Sequence, residues 1–210
     1  MRDQRALWES IYGDRTERDG DRGPNEFAIE VAALLQPACR ILELGCGTGE
    51  DARYLAGLGH NVTAVDHSQA AIERARAVAE AIPNLWFEVR NIAAPFEPEE
   101  DASFDLVYAR LSLHYFKDAA TKALFREIGR LLKPGGLLAF MCRSTADGRY
   151  GRGVEIERHV FEADHVRHFF SVEYAAECLS QGFDVVSLAE ERGSLYGRDS
   201  VYVKALARRG

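Results

Sequence analysis

The chain has 210 residues, 47% apolar and 28% charged, with a formal net charge of −7. That length and balance suit one α/β domain spanning 1–210 with a full core, and exclude disordered, collagenous and repeat architectures. The acidic balance argues against a general nucleic-acid binder, which needs a basic face to displace counterions; the terminal Arg208-Arg209 pair is too short to supply one.

The first residues, Met1 to Trp8, lack the apolar run of a signal peptide. No apolar stretch reaches membrane-spanning length, so no membrane partner and a cytoplasmic location are expected. Residues 7–22 are polar with two isolated rings, Trp8 and Tyr12. Asn25 after Pro24 reads as a helix N-cap. Phe27, Val31, Leu34 and Leu35 then share a helical face until Pro37.

Alternation of short apolar runs with amphipathic stretches follows, the βαβα signature. Arg40–Leu44 reads as a strand, residues 50–58 as a helix, and Val62–Asp66 as a second strand. Ser68 is placed to cap a helix carrying Ala71, Ile72, Ala75, Val78, Ala79 and Ile82 on one face. Leu85–Val89 and Phe104–Ala109 continue the strands. Asp118 reads as the cap of a helix bearing Ala120, Leu124, Ile128, Leu131 and Leu132, stopped by Pro134-Gly135-Gly136. Leu137–Cys142 is apolar throughout, as a central parallel strand should be. Residues 143–170 show no clean period and read as a long loop or lid. Ser171 starts a helix that ends at Gly182, and Val185–Leu188 and Ser200–Ala207 close the chain as strands around a turn at 193–197.

Four cysteines (39, 46, 142 and 178) form no C-x-x-C pair and have no histidines at zinc spacing. Free thiols in a reducing compartment are expected, and no metal. Cys46 reads as a small buried filler rather than a nucleophile.

The chemistry concentrates at Glu43-Leu44-Gly45-Cys46-Gly47-Thr48-Gly49-Glu50, between a strand and a helix. Glycines there let a ligand approach the backbone, and the helix start accepts polar groups. A dinucleotide fingerprint requires G-x-G-x-x-G/A so that pyrophosphate can sit on the helix start. This chain has G-x-G-x-G followed by Glu50, whose carboxylate disfavours pyrophosphate. Glu43 suits an ammonium group instead. Asp66, 17 positions after Gly49, can accept both hydrogen bonds of a ribose diol, a role it would also play for NAD. Asn91 can bond an adenine edge and Ile92 can pack on its face. The Phe104–Phe116 segment ends where open α/β sheets bind ligands.

In order and spacing, ILELGCGTG, VTAVD, FDLVYA and LLKPGGLLAF resemble the successive motifs of the Rossmann-like S-adenosylmethionine (SAM)-dependent methyltransferases across residues 40–142. The FEADHVRHFFS stretch resembles the small tellurite-resistance and thiopurine-type branch. The resemblance implies a three-layer α/β sandwich with a seven-stranded, mostly parallel sheet and an antiparallel last strand. It implies SAM as cofactor, S-adenosylhomocysteine as product, and cofactor roles for Glu43, Gly45, Gly47, Asp66 and Asn91. Cys46, His67, Ile92 and Arg110 stand beside these motifs and complete the expected cofactor set. Many relatives carry an acidic residue where Asn91 stands; its amide oxygen can accept the same bond.

Residues 1–22 and 143–170 are then expected to form lids over a small-molecule acceptor. Trp8 and Tyr12 either cover the adenosine or pack as surface staples. His114, Tyr115, His165 and Arg167 are the candidates nearest the chemistry. His114 is a general base or a packing histidine. Arg158, His159, His165, Arg167 and His168 form a basic segment that either holds an anionic acceptor or is a solvated face. Asp147, Tyr150 and Glu162 are further base candidates. The expected reaction is in-line displacement on the methyl carbon by a monomer or homodimer. An NAD-dependent oxidoreductase and a non-catalytic SAM-binding regulator remain the alternatives.

Overall fold

A computed structural model describes residues 4–13, 23–79, 81–97, 101–195 and 197–210. Residues 1–3 and 14–22 of the expected N-terminal lid lie outside the described residues. Helices are α1 (Gln4–Gly13), α2 (Glu26–Ala32), α3 (Glu50–Gly57), α4 (Gln69–Val78), α5 (Asp118–Leu131) and α6 (Val172–Leu179). Strands are β1 (Arg40–Leu44), β2 (Asn61–Asp66), β3 (Leu85–Val89), β4 (Phe104–Arg110), β5 (Leu132–Arg143), β6 (Val154–Glu157), β7 (Val160–Glu162), β8 (Val166–His168), β9 (Phe183–Leu195) and β10 (Arg198–Arg209).

Seven strands form the main sheet in the order β3-β2-β1-β4-β5-β10-β9. The first five pair in parallel, and β10 runs against both of its neighbours, β5 and β9. The expected mostly parallel sheet with an antiparallel last strand is therefore present. Strand alternation sends successive residues to opposite faces. Leu42, Leu44, Val107 and Phe140 pack with α5 and α6 residues such as Phe125 and Leu179. Ile41, Val62, Leu106 and Tyr108 pack with α2, α3 and α4 residues such as Phe27, Leu55 and Ile72. Three layers result, because each sheet face must be covered.

The expected caps at Asn25, Ser68 and Ser171 are all made: their side chains accept from the amides of Phe27, Ala71 and Tyr174. Asp118 is different. Lys117 is the N-cap of α5, and Asp118 is its first helical residue, where it accepts from the Tyr174 hydroxyl at 2.8 Å. Helix α2 ends at Ala32, leaving Leu34 54% exposed, and Val78 at the end of α4 is 58% exposed. Apolar residues past the last full turn no longer follow the helical face.

Residues 143–170 are not a structureless lid. Strands β6, β7 and β8 form a separate antiparallel sheet. Three- and four-residue strands are too short to establish a period, so only the buried Val160, Phe161 and Val166 betray them. Strands β9 and β10 each extend well beyond the apolar runs expected of them, because long hairpin pairing carries polar residues along.

Candidate cofactor and acceptor site

The strand order reverses between β1 and β4, and a crevice must open there at the C-terminal strand ends. A cavity of about 1170 Å³ occupies that position. Its walls include Trp8, Tyr12, Gly45, Cys46, Gly47, Asp66, His67, Asn91, Ile92, Arg110 and Tyr115 from the expected set.

The loop after β1 is stitched to β2: the amides of Gly45 and Cys46 both donate to the Val65 carbonyl, at 2.8 and 3.0 Å. Gly45 and Gly47 have φ of +76° and +56°, a region that disfavours any side chain. A Cβ on Gly45 would collide with Ser112, and one on Gly47 would come within 2.7 Å of the Tyr12 hydroxyl. The backbone thus approaches its surroundings as closely as the motif suggested.

Asp66 is 8% exposed. Its two oxygens accept from the amides of Gly47 and Ser68, each at 2.9 Å. Burial raises its pKa, and those amides oppose the rise. A carboxylate has about four lone-pair sites, so both oxygens keep acceptor capacity toward the cavity.

Glu43 is 4% exposed and, among the described residues, its Oε2 has no hydrogen-bond partner. Burial raises its pKa well above the usual carboxylate range, the Asp51 charge adds to the rise, and Arg110 opposes it. The Cys46 thiol is pushed up by burial and by the charges of Glu43 and Asp66, so it stays protonated. That agrees with a filler.

Asp51, which sequence reasoning missed, organises this end. It accepts from the Asn25 amide at 2.7 Å, the Tyr108 hydroxyl at 3.1 Å and Arg110 Nε at 2.8 Å. An Asp on the apolar face shared with Ala52, Leu55 and Ala56 was the available signal. Asn91 lines the cavity, and its Oδ1 also accepts from the Ala93 amide at 3.0 Å, shaping the turn that carries Ile92.

Helix α1 closes the cavity. Glu9 accepts from Ser68 Oγ and the amides of Gln69 and Ala70, at 2.7–3.0 Å, at the N-terminus of α4, where a carboxylate is stabilised. Trp8 packs on Tyr115 and His165, with ring centroids 4.9 and 5.7 Å away. Trp8 is thus a lid contact and not a surface staple.

The expected acceptor-side residues split. Tyr115 lines the cavity, and the His114 ring lies 4.5 Å from it. His114 is fully buried and outside the cavity wall; burial and the Arg167 charge hold its pKa well below normal. His165 and Arg167 lie behind the Trp8–Tyr115 pair and bond each other at 2.5 Å. His168 turns to Phe170 and Tyr174, and His159 bonds the Tyr150 hydroxyl at 2.8 Å. Arg158 reaches only His159 at 3.3 Å. Asp147 is engaged by Arg143, at 2.8 Å. The expected basic segment is therefore not one surface, and only His165 and Arg167 of it face this end.

The residues present fit SAM. Asp66 retains acceptors for a diol and the loop admits close contact, while Glu43, expected at the ammonium, stands buried behind the cavity wall with one oxygen unpaired among the described residues. Glu50 lines the same wall, accepting from Thr48 Oγ at 2.6 Å; its charge opposes the pyrophosphate of NAD, so the oxidoreductase alternative has no support. The non-catalytic alternative has none either.

The fold and this crevice define the Rossmann-like, SAM-binding class. Residues 41–136 match the family model described as a methyltransferase domain. Trans-aconitate 2-methyltransferase of Deinococcus radiodurans is 31% identical over 139 residues, 65% of this chain and 51% of that protein. A SAM-dependent methyltransferase structure from Methanosarcina mazei superposes with a TM-score of 0.75 at 23% identity, covering 86% of this chain and 96% of the other. TehB from Haemophilus influenzae shares the fold with a TM-score of 0.69 at 17% identity, covering 99% of this chain and 67% of the other. The chain thus matches a methyltransferase-domain family model over residues 41–136 and has the fold of Rossmann-like SAM-dependent methyltransferases. It spans about half the length of most of the curated relatives it matches. Among the described residues no helix is long and apolar enough to cross a membrane, and no cluster of metal-ligating side chains occurs.

Proposed function

We propose that the chain transfers the methyl group of SAM to a small-molecule acceptor by in-line displacement, leaving S-adenosylhomocysteine. Asp66 beside the glycine loop on the cavity wall carries this reading, because a nearly buried carboxylate whose oxygens each keep acceptor capacity suits a ribose diol. When bound, SAM supplies a sulfonium-activated methyl group, so the protein's task is alignment and exclusion of water.

In this reading Glu43 holds the ammonium, Asp66 the ribose diol and Ile92 the adenine face. Trp8 and Tyr12 cover the cavity, and Tyr115 borders the methyl side. Fixing reactants in line is worth up to several kcal/mol of barrier. His114 acts as a donor and not as the general base: its Nδ1 accepts from the Arg143 amide at 3.2 Å, so its proton resides on Nε2. An acceptor that arrives already anionic needs no base.

The name of the Deinococcus relative, with trans-aconitate as acceptor, supports a small substrate. We place the chain in the cytoplasm as one methyltransferase unit, monomer or homodimer, without a nucleic-acid partner; its four unpaired cysteines agree with a reducing compartment. Incubation with methyl-labelled SAM and a panel of thiols, amines, phenols, carboxylates and metalloid oxyanions tests the activity. Transfer to at least one class is expected, and tight cofactor binding without any transfer contradicts it.

A further inference from the structure

We propose that the half of the cavity beyond the strand reversal takes a neutral, apolar acceptor skeleton, and that Leu195 at the tip of the β9–β10 hairpin sets the size it admits. This rests on the methyl-transfer reading and names the substrate class of the same site.

The cavity wall divides by strand. Gly45, Cys46, Gly47, Asp66, His67, Asn91 and Ile92 come from the ends of β1, β2 and β3, on one side of the reversal between β1 and β4. The other side is walled by Leu111, Tyr115 and Phe116 after β4, and by Ser194, Leu195 and Gly197 of the hairpin. The cavity's volume of about 1170 Å³ exceeds the range of about 300–1,000 Å³ typical of a pocket for one small ligand. A second molecule therefore has room beside the cofactor. None of residues 143–170 is on the wall; the hairpin tip takes the place expected of them.

The hairpin reaches the crevice because it outruns the sheet. The β5–β10 ladder ends at the pair Arg143–Tyr202, whereas β10 pairs with β9 out to Arg198 and Leu195. Residues 198–201 project past that ladder, a reach of about 13 Å at about 3.3 Å per residue. Buried groups hold the projection at its base. Arg143 Nη1 donates to Asp147 Oδ2 at 2.8 Å and to Ser200 Oγ at 3.2 Å, and Asp147 Oδ2 also accepts from the Val201 amide at 3.1 Å. A buried ion pair supported by further hydrogen bonds is costly to break, so the tip keeps one position.

This half of the wall is apolar where it is buried. Leu111 and Leu195 are 7% and 4% exposed. Leu111 holds a φ of +57°, left-handed backbone that is costly for a side chain of its size and that clusters at ligand sites. Trp8 and Tyr115 add two rings with centroids 4.9 Å apart. The charges on this side are compensated or exposed. Arg110 is held by Asp51 at 2.8 Å, Arg5 is exposed and pairs with Glu9 at 3.7 Å, and Glu26 is exposed. Apolar walls with few polar groups bind by burying hydrocarbon.

The test follows Trp8 fluorescence in a Trp86→Phe background, since Trp8 lines the cavity and Trp86, half-exposed, does not. Benzyl alcohol, 4-ethylbenzyl alcohol and 4-butylbenzyl alcohol, with glycerol as the polar control, are titrated with and without saturating S-adenosylhomocysteine. In the wild type, affinity should climb by about four-fold per added methylene up to the ethyl member and fall at the butyl member. Glycerol should not bind. Leu195→Ala should bind the butyl member at least about ten-fold more tightly than the wild type does, since two or more further methylenes gain room. Leu195→Phe should weaken the ethyl member, and neither variant should change the affinity for S-adenosylhomocysteine. Leu195→Val carries the test, with a smaller gain in the same direction, should Leu195→Ala fail to fold. The same size limit in wild type and variants, no binding of the alcohols by the wild type, or a parallel loss of S-adenosylhomocysteine affinity overturns the inference. A size limit that follows Leu195 without any S-adenosylhomocysteine binding contradicts methyl transfer and leaves the apolar subsite standing.

Discussion

The two ends of the cavity are built differently. At the β1–β2 end, Asp51 and Asp66 accept donors from the N-caps of α2 and α4, from β4 and from the glycine loop, and a single Glu43 oxygen has no partner among the described residues. At the β8 end a guanidinium, two imidazoles and a hydroxyl are left over together. The first end is assembled by the fold and needs one cation. The second keeps donors that are unpaired among the described residues, three of them on residues outside the cavity wall.

Breaking the saturated end should produce the largest effect. Asp51→Ala strands Arg110 Nε, the Tyr108 hydroxyl and the Asn25 amide at once, and loss of one partner of a buried pair costs about 3–5 kcal/mol. Thermal denaturation should show a lowered Tm; a melt like that of the wild type would mean that the hub is dispensable. Next comes Asp66→Ala, expected to weaken S-adenosylhomocysteine binding by about 1.5–3 kcal/mol. An unchanged Kd would remove Asp66 from the cofactor site.

The opposite side of β8, which carries His168 against Phe170 and Tyr174, should respond to acid. Burial lowers the pKa of His168 from 6.5 to about 4, outweighing the pull of Asp118 and Glu157. Its folded-state pKa is depressed, so the unfolded chain binds the proton first. Stability is full above about pH 6.5 and is lost as pH falls towards 4, by about 1–3 kcal/mol. Calorimetry across that window should show the loss, and His168→Gln should flatten it; an equally steep variant would assign the loss elsewhere.

The smallest effect sharpens the contrast most. Glu43 has a raised folded-state pKa, so its ionisation opposes folding as pH rises. Glu43→Gln should therefore stabilise the ligand-free chain by about 1 kcal/mol at neutral pH, yet weaken S-adenosylhomocysteine binding. A variant that loses both stability and affinity would make Glu43 a structural residue.

The difference between the two ends also explains what could be read in advance. The sheet, the glycine loop and Asp66 follow from patterns local in sequence: apolar strands, G-x-G-x-G and a strand-ending carboxylate. Asp51 was hidden because its partners, Asn25, Tyr108 and Arg110, come from distant segments. His165 and Arg167 were legible as basic residues, but not their separation from His159 and His168, which depends on β6–β8, strands too short to declare a period. The bond from the Ala93 amide to Asn91 was not legible, since an Asx turn depends on local backbone conformation.

The most direct test of the central claim, a crevice cut for a phosphate-free adenosine with an amino-acid tail, is isothermal titration of the purified chain with S-adenosylhomocysteine and, separately, NADH. Saturable binding of one S-adenosylhomocysteine per chain, with no heat from NADH, is the expected result. Binding of NADH, or none by S-adenosylhomocysteine, would contradict the account.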